Sequence, residues 1–296
     1  MTTQASPSKP LGRPRLATVL ALKAVGDDTF SGDPGAVNSS GGVYGGLVFS
    51  QAAAAADRSV DDDRVMCSAQ GQFLRSGLFG APIEYVVKRV RDGRSFSNRS
   101  VEAIQFGKVI FTLTASFHVP EDGFEHQVQP FDAPAPEGLA SLGEALADVG
   151  ESTREWLHGM LQRVPFEMRP ADELPQVGWT RGESPPPRQR FWLRPHERLS
   201  ADPHLNTVSL LYASDLFLLS SSLPPHHVVM PELQFASLDH SVWLHRPVEF
   251  DDWLLFEQEG FWAGGGRALC RGAFFDRHGR VVANTMQQGL IRPPRA

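Results

Sequence analysis

Asp215 sits between Leu210-Leu211-Tyr212-Ala213 and Leu216-Phe217-Leu218-Leu219. A carboxylate in so apolar a run costs free energy to bury unless it has partners. The position is therefore either a helix end or solvent-facing site, or a buried carboxylate kept for proton transfer. Burial would raise its pKa toward the range of a useful general base, and hydrogen bonds to the ionised form would lower it again. Such a group suits the attack of water on an acyl carbon, provided it lies within hydrogen-bond reach of that water.

Other residues could take part. Phe235-Ala236-Ser237-Leu238-Asp239-His240 holds a hydroxyl, a carboxylate and an imidazole within four positions, a string that invites a nucleophilic triad. On a regular strand, however, Ser237, Asp239 and Ser241 share one face and Leu238 and His240 the other. That argues against the triad and leaves Ser237 as an orienting or ordinary strand hydroxyl. Gln287 can donate and accept at once, and alternation lets only one of Gln287 and Gln288 face a site. Tyr44-Gly45-Gly46 precedes an Ala-rich helix. Its glycines let a ligand or another backbone approach the helix start, whose N–H groups attract negative charge. Asp61-Asp62-Asp63 reads as a solvated loop and His226-His227, after two prolines, as another. Cys67 and Cys270 read as core residues, and Trp243, Trp253 and Trp262 as packing anchors. No metal site is expected.

The elements that must hold these residues repeat. After Gly45-Gly46, residues 52–56 are five alanines, strong helix formers. Strand-like runs follow over 65–74, 83–90, 95–105 and 109–118, with Arg91-Asp92-Gly93-Arg94 and Phe106-Gly107-Lys108 as turns. Later, residues 204–219 read as one helix apolar on nearly every side, hence buried. Strands then fit 234–244, 253–261, 267–276 and 281–291. Gly107-Lys108-Val109-Ile110 matches Gly279-Arg280-Val281-Val282. The order of helix and then antiparallel meander, met twice, indicates a duplication. The expected fold is α+β: a double hotdog, with two antiparallel sheets each wrapped around a central helix and joined into one long sheet. The expected division is an N-terminal domain at 15–119, a linker with short helices at 120–163, and a C-terminal domain at 164–293 that carries the catalytic residues.

Composition narrows the classes. With 41% hydrophobic and 21% charged residues, the chain can bury a full core. A net charge of -6 and no Lys/Arg block leave a nucleic-acid partner without its electrostatic footprint. No apolar run approaches the ~20 residues of a membrane span. The first 14 residues read as a tail without the apolar core of a signal peptide. Two cysteines make no disulfide framework, and a reducing cytoplasm fits them.

Several segments, in this order, carry a resemblance: Val43-Tyr44-Gly45-Gly46, Phe73-Leu74-Arg75, Arg91-Asp92-Gly93-Arg94-Ser95-Phe96, Thr114-Ala115-Ser116-Phe117, Gly123-Phe124-Glu125-His126-Gln127, Tyr212-Ala213-Ser214-Asp215, Leu238-Asp239-His240-Ser241-Val242-Trp243-Leu244-His245-Arg246-Pro247 and Gln287-Gln288-Gly289. Together they resemble the acyl-CoA thioesterase II family. The resemblance implies a double-hotdog enzyme without metal or organic cofactor that hydrolyses fatty acyl-CoA thioesters. It implies that Asp215, Ser237 and Gln287 hold the attacking water, that Tyr44, Gly45 and Gly46 contact substrate, and that the protein is a homodimer or homotetramer. Ser237 stands where many members have Thr. Leu47 stands where they have Gln, and Gln70 where a His is seen. Arg75, Arg91 and Arg94 could meet the CoA phosphates. Two competing readings are an acyl-CoA hydratase, which would pair an Asp with a His, and a non-catalytic acyl-CoA binding protein or sensor. A further expectation is asymmetry: the first helix has no carboxylate until Asp57, and Ala115 stands where Gln287 does in the second half.

Overall fold

The computed structural model describes residues 13–35, 42–129, 132–199, 202–228 and 233–293. The first half runs α1 (Leu16–Val19), β1 (Leu22–Gly26), β2 (Thr29–Gly32), α2 (Gly45–Asp57), β3 (Val65–Phe73), β4 (Ile83–Asp92), β5 (Phe96–Gln105) and β6 (Lys108–His118). The chain then passes through α3 (Leu142–Ala145) and α4 (Glu151–Leu161). The second half runs β7 (Phe166–Pro170), α5 (Pro175–Thr180), β8 (Arg188–Pro195), α6 (Pro203–Ala213), β9 (Gln234–Ser237), β10 (Asp239–Leu244), β11 (Leu254–Gly264), β12 (Arg267–Phe275) and β13 (Val281–Arg292).

Among the described residues these strands form one 13-stranded sheet, ordered β1-β2-β4-β5-β6-β3-β10-β13-β12-β11-β8-β7, with β9 added on β13. The paired strands are antiparallel. Apart from β9 the order reads the same from both ends, so the two halves meet as near-copies across β3 and β10. This is the expected double hotdog, two sheets wrapped around central helices and fused into one.

Helices α2 and α6 lie inside, packed on each other. Leu47, Phe49, Ala52, Ala53, Ala55 and Ala56 of α2 are fully enclosed, as are Leu210, Leu211 and Ala213 of α6. The small alanine side chains let α2 lie close to the sheet and to α6. Trp253 packs inside, but Trp243 and Trp262 are 38% and 46% exposed, so only the first is a packing anchor. No described helix is long and apolar enough to cross a membrane.

One element differs from expectation in a way that matters. The helix predicted over 204–219 stops at Ala213. Phe217 takes a left-handed φ of 58°, which an α-helix cannot accommodate. Carbonyls in the irregular stretch beyond the helix are held from the sheet: Gln258 Nε2 donates to Leu216 O at 2.7 Å and Gln189 Nε2 to Phe217 O at 2.9 Å. Asp215 therefore lies in the turn just past the helix, not within it.

Candidate active site

Three elements converge on the Asp215 turn. Gln287 comes from β13 and is fully buried. Ser237 comes from the end of β9, paired with Gly289 beside it. The start of α2 faces them both. Gln287 Nε2 donates to Asp215 Oδ1 at 2.5 Å and to Ser237 Oγ at 3.0 Å. The Ser237 hydroxyl lies 3.5 Å from the same carboxylate oxygen, at the limit of a hydrogen bond. The second carboxylate oxygen accepts the Gly46 N–H at 2.7 Å. Asp215, Ser237 and Gln287 thus touch one another, although they are spread over more than seventy positions of sequence.

Asp215 keeps a partial opening to solvent, while its carboxylate is packed among protein atoms. Desolvation is the dominant effect and pushes its pKa up to about 6. The bonds from Gln287, Gly46 and Ser237 pull the other way and keep the shift from growing larger. The carboxyl is thus poised to exchange a proton near neutrality. Gln287 Oε1 is buried with no protein partner, an acceptor left over beside the carboxylate.

The two glycines have a steric explanation. A Cβ on Gly45 would stand 3.0 Å from Asp215 Oδ2 and 3.2 Å from the Phe73 ring. One on Gly46 would stand 2.6 Å from the Tyr44 ring and 2.7 Å from the Tyr212 carbonyl. Tyr44 donates its hydroxyl to Tyr212 O at 3.0 Å, with the two rings 4.8 Å apart. Tyr44 and Gly46 thus spend these polar groups on holding the helix start against the Asp215 turn. None of Arg75, Arg91 and Arg94 bonds to the trio; Arg75 donates to Val109 O.

Strand alternation misplaced His240. Ser237 pairs with Gly289 and Ser241 with Met286, so four steps on one side oppose three on the other. The extra residue at Leu238 is a bulge, and beyond it the faces exchange. Ser237 and His240 consequently both turn inward, with His240 fully buried against Ser214. The His–Asp–Ser string does not assemble: Asp239 accepts the Gln288 N–H instead. His240 escaped the sequence reading, and its motif offered no sign of the slip.

Asp57 also departs from the expected asymmetry. It lies eleven residues after Gly46 (57 − 46), as Asp215 lies eleven after His204 (215 − 204), and Gly46 and His204 occupy matching places at their helix starts. Asp57 faces the start of α6, where His204 Nδ1 lies 2.5 Å from it. Burial raises its pKa, with His204 opposing. A carboxylate is therefore present at the matching place. The amide and hydroxyl are not repeated, since the stretch of β6 that corresponds to Gln287 carries Ala115, paired to Ala69.

A family profile described as acyl-CoA thioesterase matches residues 165–290, and one described as acyl-CoA thioesterase N-terminal domain matches residues 34–118. Acyl-CoA thioesterase 2 of Haemophilus influenzae is 35% identical over 253 residues, 84% of this chain and 87% of that protein. Acyl-coenzyme A thioesterase 8 of Homo sapiens is 34% identical over 286 residues, 94% of this chain and 88% of that one. Among solved structures, the acyl-CoA thioesterase II TesB2 from Mycobacterium marinum superimposes with a TM-score of 0.76 at 34% identity, over 94% of this chain and 98% of its own.

Proposed function

The chain belongs to the acyl-CoA thioesterase family, and from that premise we propose that it hydrolyses fatty acyl-CoA through a water activated by Asp215 with Ser237 and Gln287. It is a thioester hydrolase by kinship. The observation that carries the residue assignment is the mutual contact of three polar side chains, brought from a turn and two strands to the start of α2.

The chemistry follows from what each group can still do. Ionised Asp215 takes a proton from water, and the water oxygen bonds to the thioester carbonyl carbon. Ser237 donates to that water, and the spare Gln287 Oε1 accepts its second hydrogen. Of the two glycine N–H groups, that of Gly46 is committed to Asp215. Gly45 is then the donor available to the carbonyl oxygen as it gains charge. Collapse breaks the C–S bond, Asp215 returns the proton to sulfur, and the products are free acid and CoA thiol. Desolvation suits this role, because a carboxylate with an ordinary pKa is a weaker base.

The test is release of free thiol from a long-chain acyl-CoA, by the wild type and by Asp215→Asn. Wild-type turnover with a variant loss of roughly 10²–10⁴-fold and little change in binding is expected. Binding without thiol release by the wild type would make the protein a sensor instead. The division at 15–119, 120–163 and 164–293, the cytoplasmic location and the homodimeric or homotetrameric state belong to the same reading. The two free thiols are in keeping with a reducing compartment, and sedimentation would read the assembly.

A further inference from the structure

We propose that His240 is a positioning residue for hydrolysis, locking the turn that carries Asp215 to the strand that carries Gln287. The inference rests on the reading of Asp215 as the base. His240 is fully enclosed, and the ring of Phe49 from α2 packs against it edge-on, with centroids 4.9 Å apart at 88°. Its Nε2 lies 2.7 Å from Ser214 Oγ and 3.4 Å from Thr285 Oγ1. Ser214 is the residue before Asp215. Thr285 precedes Gln287 by two on β13, so both point to the same side of the sheet. One imidazole thus touches the neighbours of two members of the trio.

The hydrogen atoms can be assigned from the partners. The Ser214 hydroxyl already donates to Leu211 O at 2.7 Å. Toward His240 it can only accept, so Nε2 carries the hydrogen. Nδ1 is then a bare lone pair, and it has no protein partner. The other neutral tautomer would bury an unpaired N–H, the costlier arrangement. Burial also drives the pKa of the ring down to about 3, so it stays uncharged and serves as a fixed donor rather than an acid.

A half-satisfied imidazole is an expensive way to fill a core position that Leu or Phe would fill at lower cost. What it supplies is direction. Ser214 makes the last helical bond, its N–H to Leu210 O at 2.9 Å, and the chain leaves the ladder at Asp215. The Ser214 Oγ contact with His240 ties this point across to the sheet within one residue of the carboxylate. Asp215 Oδ1 must meet Gln287 at 2.5 Å and Oδ2 must meet Gly46 at 2.7 Å together. A turn free to shift by an ångström would lose one or the other, and misplacement of that size costs up to about a hundredfold in rate.

The test is steady-state kinetics of the full chain on a long-chain acyl-CoA, with thermal midpoints recorded for each variant. His240→Leu removes the donor and keeps an apolar filler; kcat should fall roughly 10–100-fold while KM changes by less than about threefold. His240→Gln can place an amide N–H where Nε2 stood, and should recover most of the loss. Ser214→Ala removes the acceptor and should lower kcat in the same direction. The double variant Ser214→Ala/His240→Leu should lose no more than the worse single one. A folded His240→Leu with wild-type kcat would overturn the proposal, as would a folded His240→Gln no better than His240→Leu. If His240→Leu fails to fold, Ser214→Ala decides: a lowered kcat at unchanged KM supports the tie, and an unchanged kcat removes it. Full activity in Asp215→Asn would overturn the reading of the base, and the positioning role with it.

Discussion

The strongest consequence of the Asp215 environment is that the protein should be less stable because of it. The carboxyl titrates at about 6 in the folded chain against an ordinary value of 3.8. The folded state therefore holds its proton more tightly than the unfolded state does. Stability linked to the neutral carboxyl is complete below about pH 4 and is lost as pH rises through about 6. A difference of roughly two units corresponds to about 3 kcal/mol forfeited at pH 8. That is a substantial fraction of the ~5–15 kcal/mol by which a domain is stable at all.

Asp215→Asn removes the titration and nearly keeps the shape. The new amide oxygen can accept from the Gly46 N–H, and its NH₂ can donate to Gln287 once the Gln287 amide turns its spare oxygen inward. Any residual mismatch is independent of pH and cancels in a comparison across pH. Urea unfolding of wild type and variant at pH 4 and pH 8, at one protein concentration because any assembly adds its own term, gives two stability differences. The variant should gain on the wild type by about 3 kcal/mol between pH 4 and pH 8, and should be the more stable protein at pH 8. Parallel pH dependence in the two proteins would refute the reasoning, since Asp215 would then titrate alike folded and unfolded.

Further expectations can be checked in the same hands. The kcat/KM profile should rise with pH through about 6 and level off above it, because only the ionised carboxylate accepts the water's proton; a limb near 4 would count against the burial effect. Ser237→Ala should cost about tenfold in kcat, the worth of one hydrogen bond of ~1–1.5 kcal/mol, whereas Ser237→Thr should keep most activity. Gln287→Ala should cost more than Ser237→Ala and less than Asp215→Asn, and should move the acidic limb upward, since the Gln287 bond lowers the Asp215 pKa. Gly46→Ala places a methyl 2.6 Å from the Tyr44 ring and 2.7 Å from the Tyr212 carbonyl, so it should destabilise by about 1–3 kcal/mol in thermal or urea unfolding.

The regular parts of this fold were legible and the irregular ones were not. β3 to β6 and β10 to β13 follow strand-like runs closed by turn glycines, two of them, Gly107 and Gly279, at φ values near 70°. The Ala-rich α2 was equally plain. The end of α6 was not, because Leu216, Phe217, Leu218 and Leu219 continue the apolar pattern past the break. Past the helix end, Gln258 and Gln189 reach over from β11 and β8 to hold the carbonyls of Leu216 and Phe217 in the irregular stretch, long-range contacts with no local mark. The slip at Leu238 is similar: the pairing of β9 and β10 with β13 sets it, and period-two reasoning then put His240 on the wrong face. Polar residues at the site could be singled out by type, yet their contacts depend on these two irregularities.

The paired carboxylates show how a duplicated scaffold can become asymmetric. Asp57 and Asp215 stand at the same step past their helix starts, and each reaches the start of the opposite helix. What they meet there differs. Asp215 meets a glycine N–H, which leaves Oδ1 to Gln287 and Ser237, so that among the described residues only neutral donors reach the carboxylate. Asp57 meets the half-exposed ring of His204, which opposes the rise that burial gives its carboxyl. A carboxylate tied to an imidazole is a poorer receptor for a proton from water than one held by neutral donors, because the imidazolium form stabilises its charge. Glycine at one helix start and histidine at the other is thus sufficient, together with Ala115 in place of an amide, to give the two ends of the helix pair different chemistry.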